Sequence, residues 1–179
     1  SIGKTMFPAV QIAPCIPSSF PHLPLEGMNC LIPCGIDQDP YFRLARDVLP
    51  RLKAPKPALL HSTFLPSMQG VNTKMSSSYP EFAIFVTDTQ EEINKKIMRS
   101  FSGGHIDKQD QIDKGANLKV DIAYQFIKFF AEDDSQLQLI EHTYGDKDPT
   151  VQQHMLSSSV KKLCAAIIYE LVSKFRSEI

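Results

Sequence analysis

The chain has almost no net charge, −1 over 179 residues, so composition alone marks no surface built for a polyanion. Any contact with nucleic acid must come from local basic patches or from sequence outside this stretch. The first hundred residues lean basic and the remainder acidic. Long apolar runs are also missing. None approaches the ~20 residues that a helix needs to cross a bilayer, which argues against a membrane association. The opening Ser1-Ile2-Gly3-Lys4 lacks the charged and then apolar segments of a signal peptide. It also carries no initiator methionine, so the chain is expected to begin inside a longer protein. Cysteine is sparse: Cys15, Cys30, Cys34 and Cys164. There is no C-x-x-C pair, and Cys30 with Cys34 lacks the second Cys/His pair that tetrahedral zinc requires. These are expected to be reduced thiols of a cytoplasmic protein. His22, His61, His142 and His154 show no metal spacing and are assigned no role.

What is present reads as an ordinary globular chain, 42% hydrophobic and 22% charged, within the usual range for a folded domain. Residues 1–28 are rich in proline and read as loop with short extended pieces. Cys30-Leu31-Ile32-Pro33-Cys34, ended by Gly35, has the signature of a buried strand. Asp39 suits an N-cap and Pro40 the first position of the helix that follows. That helix carries an apolar stripe of Phe42, Ala45, Val48 and Leu49. Pro57 to His61 reads as the next strand. Strand, helix and strand in succession predict a βαβ unit with parallel pairing and a right-handed crossover.

The stretch Leu65 to Pro80 reads as one long irregular loop, a length usually reserved for function or disorder. Thr87 to Glu91 resembles a capping box opening a helix that reaches about Phe101, with Gly103-Gly104 as its stop. From Val120 onward the periodicity is helical, in three apolar segments: Ile122 to Phe130, Leu137 to Ile140 and Val160 to Phe175. The fold class expected is therefore α/β: part of a parallel-sheet domain over residues 1–100, then an all-helical domain over residues 101–179.

The string with the most chemistry is Lys74-Met75-Ser76-Ser77-Ser78, following Gly70-Val71-Asn72-Thr73. Taken alone, such a string is more often a solvated loop than a site. A loop lysine with neighbouring hydroxyls and free backbone N–H groups does suit a triphosphate, whose charge moves onto the departing pyrophosphate. It is not a Walker A loop, because the Gly-x-x-x-x-Gly-Lys-Ser/Thr order is missing.

This string resembles the KMSKS signature of the class I aminoacyl-tRNA synthetases, with Ser77 at the variable position. Leu31 through Phe42, containing Gly35-Ile36-Asp37-Gln38-Asp39-Pro40, resembles the segment that precedes that loop in tryptophanyl-tRNA synthetases of the eukaryotic and archaeal type. Pro57 through Phe64, Phe101-Ser102-Gly103-Gly104, Phe129 through Asp134 and Phe7 through Gln11 resemble the same family in the same order. A tyrosyl relative would share the loop and fold, and a non-catalytic fragment binding tRNA or protein is the alternative of a different class. The Cys34–Phe42 string argues against the first. Retention of Lys74, Gln38 and Gln11 together argues against the second.

The resemblance implies the C-terminal part of a Rossmann-like catalytic domain followed by a helical anticodon-binding domain. It implies ATP, as its Mg2+ complex, and tryptophan as substrates, tRNA(Trp) as the acceptor, no tightly bound cofactor, no metal site and a homodimer in the intact enzyme. By the same resemblance, Lys74 grips the β- and γ-phosphates, with Met75, Ser76 and Ser78 contributing to ATP binding and catalysis. Asp37 is implied to meet the ATP ribose, and Gln11 and Gln38 the amino and carboxylate groups of tryptophan. Ile32 and Cys34, on one strand face by period two, wall the indole and adenosine pocket, with Phe42 close by. For these three apolar residues core packing is an equal reading. The family's HIGH-type motif lies N-terminal to all of this, so the chain is expected to be inactive by itself. Gly104-His105-Ile106 resembles that motif only superficially, because it follows the lysine–serine loop and lacks the second histidine.

Overall fold

A computed structural model describes residues 1–145 and 150–178, apart from the side chain of Lys74. The chain forms two compact units, Ser1–Phe64 and Leu65–Ile179. The segment 65–100, expected to belong with the strand–helix–strand piece, is therefore part of the second unit.

The first unit opens on a helix, where loop was expected: α1, Ile2–Ile12, with Pro8 inside it. Proline removes a backbone donor and is normally costly within a helix. The Phe7 ring packs edge-on against Tyr41, centroids 4.9 Å apart at 73°, a contact between α1 and the next helix. Pro14 and Pro17, as fixed-φ residues can, open 3₁₀ turns at Ala13–Cys15 and Pro17–Ser19.

Then come β1 (Leu31–Gly35), a 3₁₀ turn (Ile36–Gln38), α2 (Asp39–Val48) and β2 (Ala58–Ser62). β1 and β2 pair in parallel, from Leu31 opposite Ala58 to Gly35 opposite Ser62, with α2 in the crossover, as the sequence predicts. The helix start differs by one residue. Gln38 already has helical backbone and is the cap, so Asp39 is the first residue of α2 and its side chain does not cap. The preceding 3₁₀ turn runs into the helix without an extended break, which leaves the Asp39 carboxylate free for partners elsewhere. Phe42, Ala45 and Leu49 are buried with Cys15 in the core of this unit, and Ile12, Ile16, Cys30, Ile32, Cys34, Ala54 and Leu59 pack around them.

The second unit begins with an antiparallel hairpin, β3 (Pro66–Ser67) and β4 (Gly70–Lys74), inside the stretch expected to be irregular. Ser67 Oγ and Thr73 Oγ1 lie 2.7 Å apart across it, and Thr73 Oγ1 donates to Gly70 O at 2.6 Å. Two short strands held by hydroxyl cross-links leave no period-two apolar pattern to read.

α3 (Gln90–Met98) does start with a capping box, but the box extends one residue beyond the Thr87–Glu91 string: Thr89 accepts from the Glu92 amide, and Glu92 from the Thr89 amide. It stops before Phe101, because the Phe101 amide is taken by Met68 O at 2.8 Å. Gly103 and Gly104 thus have another purpose than ending a helix. Four helices follow: α4 (Lys108–Lys114), α5 (Ile122–Phe130), α6 (Asp134–Tyr144) and α7 (Ser157–Ser177). α4, which has one apolar residue in seven and so no stripe, was not legible from periodicity. α7 packs against both α3 and α5 around Ile93, Ile97, Phe126, Ile127, Val160 and Ile168. Among the described residues no helix is long and apolar enough to cross a membrane.

Candidate functional site

In the first unit the informative place is the carboxyl end of β1 and β2, where open α/β sheets hold their ligands. β1 ends at Gly35, and the 3₁₀ turn presents Asp37, exposed, and Gln38, half-buried. Position 35 is closely approached by two side chains. A methyl group there would stand 2.8 Å from Phe64 Cε1 and 2.9 Å from Asp37 Oδ1. The Asp37 carboxylate therefore folds back over the end of β1. Ser62 Oγ donates to Cys34 O at 3.4 Å, a long bond joining the two strand ends.

Directly after this turn, Asp39 uses both carboxylate oxygens. Oδ2 accepts from Arg43 Nε at 2.5 Å, and Oδ1 faces His61 Nε2, one residue from the end of β2, at 3.2 Å. This three-residue set was missed from the sequence, since only parallel strand pairing brings His61 to the start of α2. Gln11 lies in the last turn of α1, half-buried.

Ile32 and Cys34 do share a strand face, and that face packs onto the core of the unit; both stay half-buried. Phe42 is only 2% exposed. Its ring belongs to the core, so of the two readings offered for it, packing is the one the geometry favours. Cys15, buried below, has its thiol pKa pushed up to about 11, chiefly by burial and also by Cys30, whose side chain is within hydrogen-bonding reach.

In the second unit the lysine–serine string starts at the end of β4. The Lys74 backbone pairs with Pro66, while its side chain lies outside the described part of the structure. Met75 packs against the helical core. Ser76, Ser77 and Ser78 are exposed. Ser76 Oγ accepts from the Ser78 amide at 3.2 Å, and Ser76 O from the Tyr79 amide, also at 3.2 Å. An anchored methionine followed by an exposed serine turn places hydroxyls and backbone N–H groups where an anion can reach them.

A second buried constellation also escaped the sequence reading. Asp121, fully buried, accepts at Oδ2 from Ser102 Oγ (3.1 Å), Gly103 N (2.8 Å) and Tyr144 Oη (2.8 Å), and at Oδ1 from Tyr124 N (2.9 Å). Burial, then the Asp121 charge, raises the Tyr144 phenol above its usual range. Lys161 Nζ donates to Ser100 O at 2.6 Å and Met98 O at 3.2 Å, and burial lowers its pKa. Every bond here closes a loop or a helix end, so the network holds the helical unit together. Among the described residues no group of three or more His, Cys, Asp or Glu side chains is arranged to hold a metal ion.

Comparison with known proteins places these features in a family. The family model described as tRNA synthetases class I (W and Y) matches residues 23–165. The chain is 50% identical to the cytoplasmic tryptophan–tRNA ligase of Arabidopsis thaliana, over 98% of this chain and 43% of that protein. Against the human cytoplasmic tryptophan–tRNA ligase it is 43% identical, over 98% of this chain and 37% of the relative. The crystal structure of Plasmodium falciparum tryptophanyl-tRNA synthetase superposes with a TM-score of 0.81 at 41% identity, covering 99% of this chain and 45% of that one. The chain thus spans less than half the length of these relatives.

Proposed function

The chain belongs to the class I tRNA synthetases of the tryptophan and tyrosine group, and on that footing we propose that it supplies part of the machinery of a tryptophan–tRNA ligase. In the proposed reaction the tryptophan carboxylate attacks the α-phosphorus of ATP, releasing pyrophosphate and forming tryptophanyl-adenylate. The tryptophanyl group then passes to the 3′ end of tRNA(Trp). The observation that carries this reading is the Gly35–Asp39 turn at the carboxyl end of two parallel strands, in a chain that also bears the Lys74–Ser78 string.

The roles follow from the chemistry of each group. Asp37, exposed and acceptor-only when ionised, takes the ribose hydroxyls. Gln38 and Gln11 each offer an acceptor and donors, as an amino group and a carboxylate together require. Lys74 neutralises charge developing on the β- and γ-phosphates. Ser76 and Ser78 add hydroxyl donors to the same phosphates, and Met75 holds their turn to the protein core. Ile32 and Cys34 flank the pocket from the edge of the core, and Phe42 supports them from beneath. Mg2+ arrives with ATP, bridging phosphate oxygens.

By function rather than by packing, residues 1–100 serve the catalytic domain and residues 101–179 form a helical anticodon-binding domain. Homodimerisation and work in the cytoplasm belong to the same proposal, the latter supported by the names of the relatives. A HIGH-type motif is not among these residues, so ATP binding by the chain alone is expected to be weaker than by a protein carrying both motifs.

The test is isotope exchange between pyrophosphate and ATP by the full-length protein. Exchange that depends on tryptophan supports the assignment. Exchange driven by tyrosine in its place overturns the amino-acid specificity, and no exchange with either overturns the reading as a ligase.

A further inference from the structure

The carboxylate of Asp39 is 14% exposed and meets two side chains of different origin. Arg43, at 2.5 Å, stands one turn along the same helix and cannot relate α2 to anything outside itself. His61, at 3.2 Å, comes from β2. Through Asp39 it ties the start of α2, and with it the 3₁₀ turn carrying Asp37 and Gln38, to the parallel sheet. We infer that His61 is a positioning residue, whose Nε2 contact with the Asp39 carboxylate sets the placement of Asp37 toward the nucleotide ribose. The inference rests on the assignment of Asp37 to the ribose made above.

Three observations converge on it. The Asp37 carboxylate lies beside Gly35, its Oδ1 2.9 Å from where a Cβ would stand there, so Asp37 sits at the strand end that His61 also adjoins. The α2 N-terminus has no side-chain cap of its own, so the Asp39–His61 contact adds a polar link to the sheet beside the packing of Phe42, Ala45 and Leu49. The imidazole is about one-third exposed. A pair this open to solvent adds little to global stability, so its loss should be read in ligand discrimination rather than in unfolding. The contact is a close approach of Nε2 to Oδ1, 3.2 Å, which becomes an ion pair when the ring is protonated.

The experiment uses the full-length protein and compares pyrophosphate exchange with ATP and with 2′,3′-dideoxy-ATP, which lacks the hydroxyls that Asp37 would hold. Asp37→Ala should remove the preference for ATP. His61→Ala should lower it by about tenfold, the effect of misplacing one hydrogen bond, with kcat/KM for the dideoxy nucleotide and the melting temperature nearly unchanged. His61→Gln, which keeps an N–H donor, should recover most of the preference. If His61→Ala slows both nucleotides equally, or changes neither while Asp37→Ala removes the preference, the positioning role is wrong and the ribose assignment stands. A preference that survives Asp37→Ala overturns the ribose assignment and the positioning role with it.

Discussion

The amide of Gly103 donates to the Asp121 carboxylate at 2.8 Å from a point where no side chain fits. A methyl group on Gly103 would stand 2.1 Å from the Asn117 carbonyl oxygen. The close approach lets one buried carboxylate gather a loop amide, two hydroxyls and the first turn of α5. Because Asp121 is fully buried, removing it takes a partner from each of those donors, and the Gly103 and Tyr124 amides lose their side-chain acceptor. Asp121→Ala is expected to destabilise the helical unit by about 3–5 kcal/mol, the cost of breaking a buried charged network from one side. Thermal unfolding of the full-length protein measures this, and a variant melting with the wild type would show the network to be dispensable.

The start of α3 supplies a pH signature. The Thr89 backbone and side-chain hydrogen bonds lower the pKa of Glu92 below its ordinary 4.5. A carboxylate with a depressed folded pKa contributes stability above the unfolded value and loses it as pH falls through the folded one. The advantage of wild type over Glu92→Gln should therefore be constant at neutral pH and fade below about pH 4.5. Thr89→Ala should cost about 1 kcal/mol at neutral pH. Melting curves taken from pH 7 to pH 3 check both, and a Glu92→Gln difference that persists unchanged at pH 3 would contradict the capping account.

Thiol reactivity reads out the cores of the two units separately. Burial pushes the Cys15 thiol up to about 11 and the Cys164 thiol up to about 12, and alkylation needs the thiolate. At pH 8 both should resist iodoacetamide in the native protein and react once it is unfolded, as peptide mass spectrometry would show. Rapid native labelling of Cys164 would mean that the helical core opens readily.

Lys74 is the residue on which the proposed phosphate chemistry turns. Lys74→Ala in the full-length protein should lower kcat for adenylate formation roughly 100- to 1,000-fold, the usual loss for a donor aimed at developing charge. Tryptophan binding should change little. A pure binding defect with normal turnover would refute a transition-state role.

Much of this protein was legible before any coordinates. The β1–α2–β2 unit announced itself through a short apolar run, a helical stripe and a second run, and residue types around Thr87–Glu91 signalled a capped helix start, although not that Glu92 closes the box. The strings around Asp37 and Lys74 pointed to a family without reference to shape. Local signals of this kind survive in one dimension because their partners lie within a few residues.

The rest was decided in three dimensions. Pro8 argued for a loop, yet the segment is a helix whose Phe7 meets Tyr41. Gly103 looked like a helix stop, yet serves the close approach to Asp121. Phe42 could have faced a ligand or the core, and burial chose the core. His61 carried no signal at all, because only the parallel pairing of β1 with β2 brings its ring to Asp39. Sequence determines which groups are available and how each segment prefers to fold. Packing alone determines which of those groups meet, since contacts between distant residues depend on burying both at once.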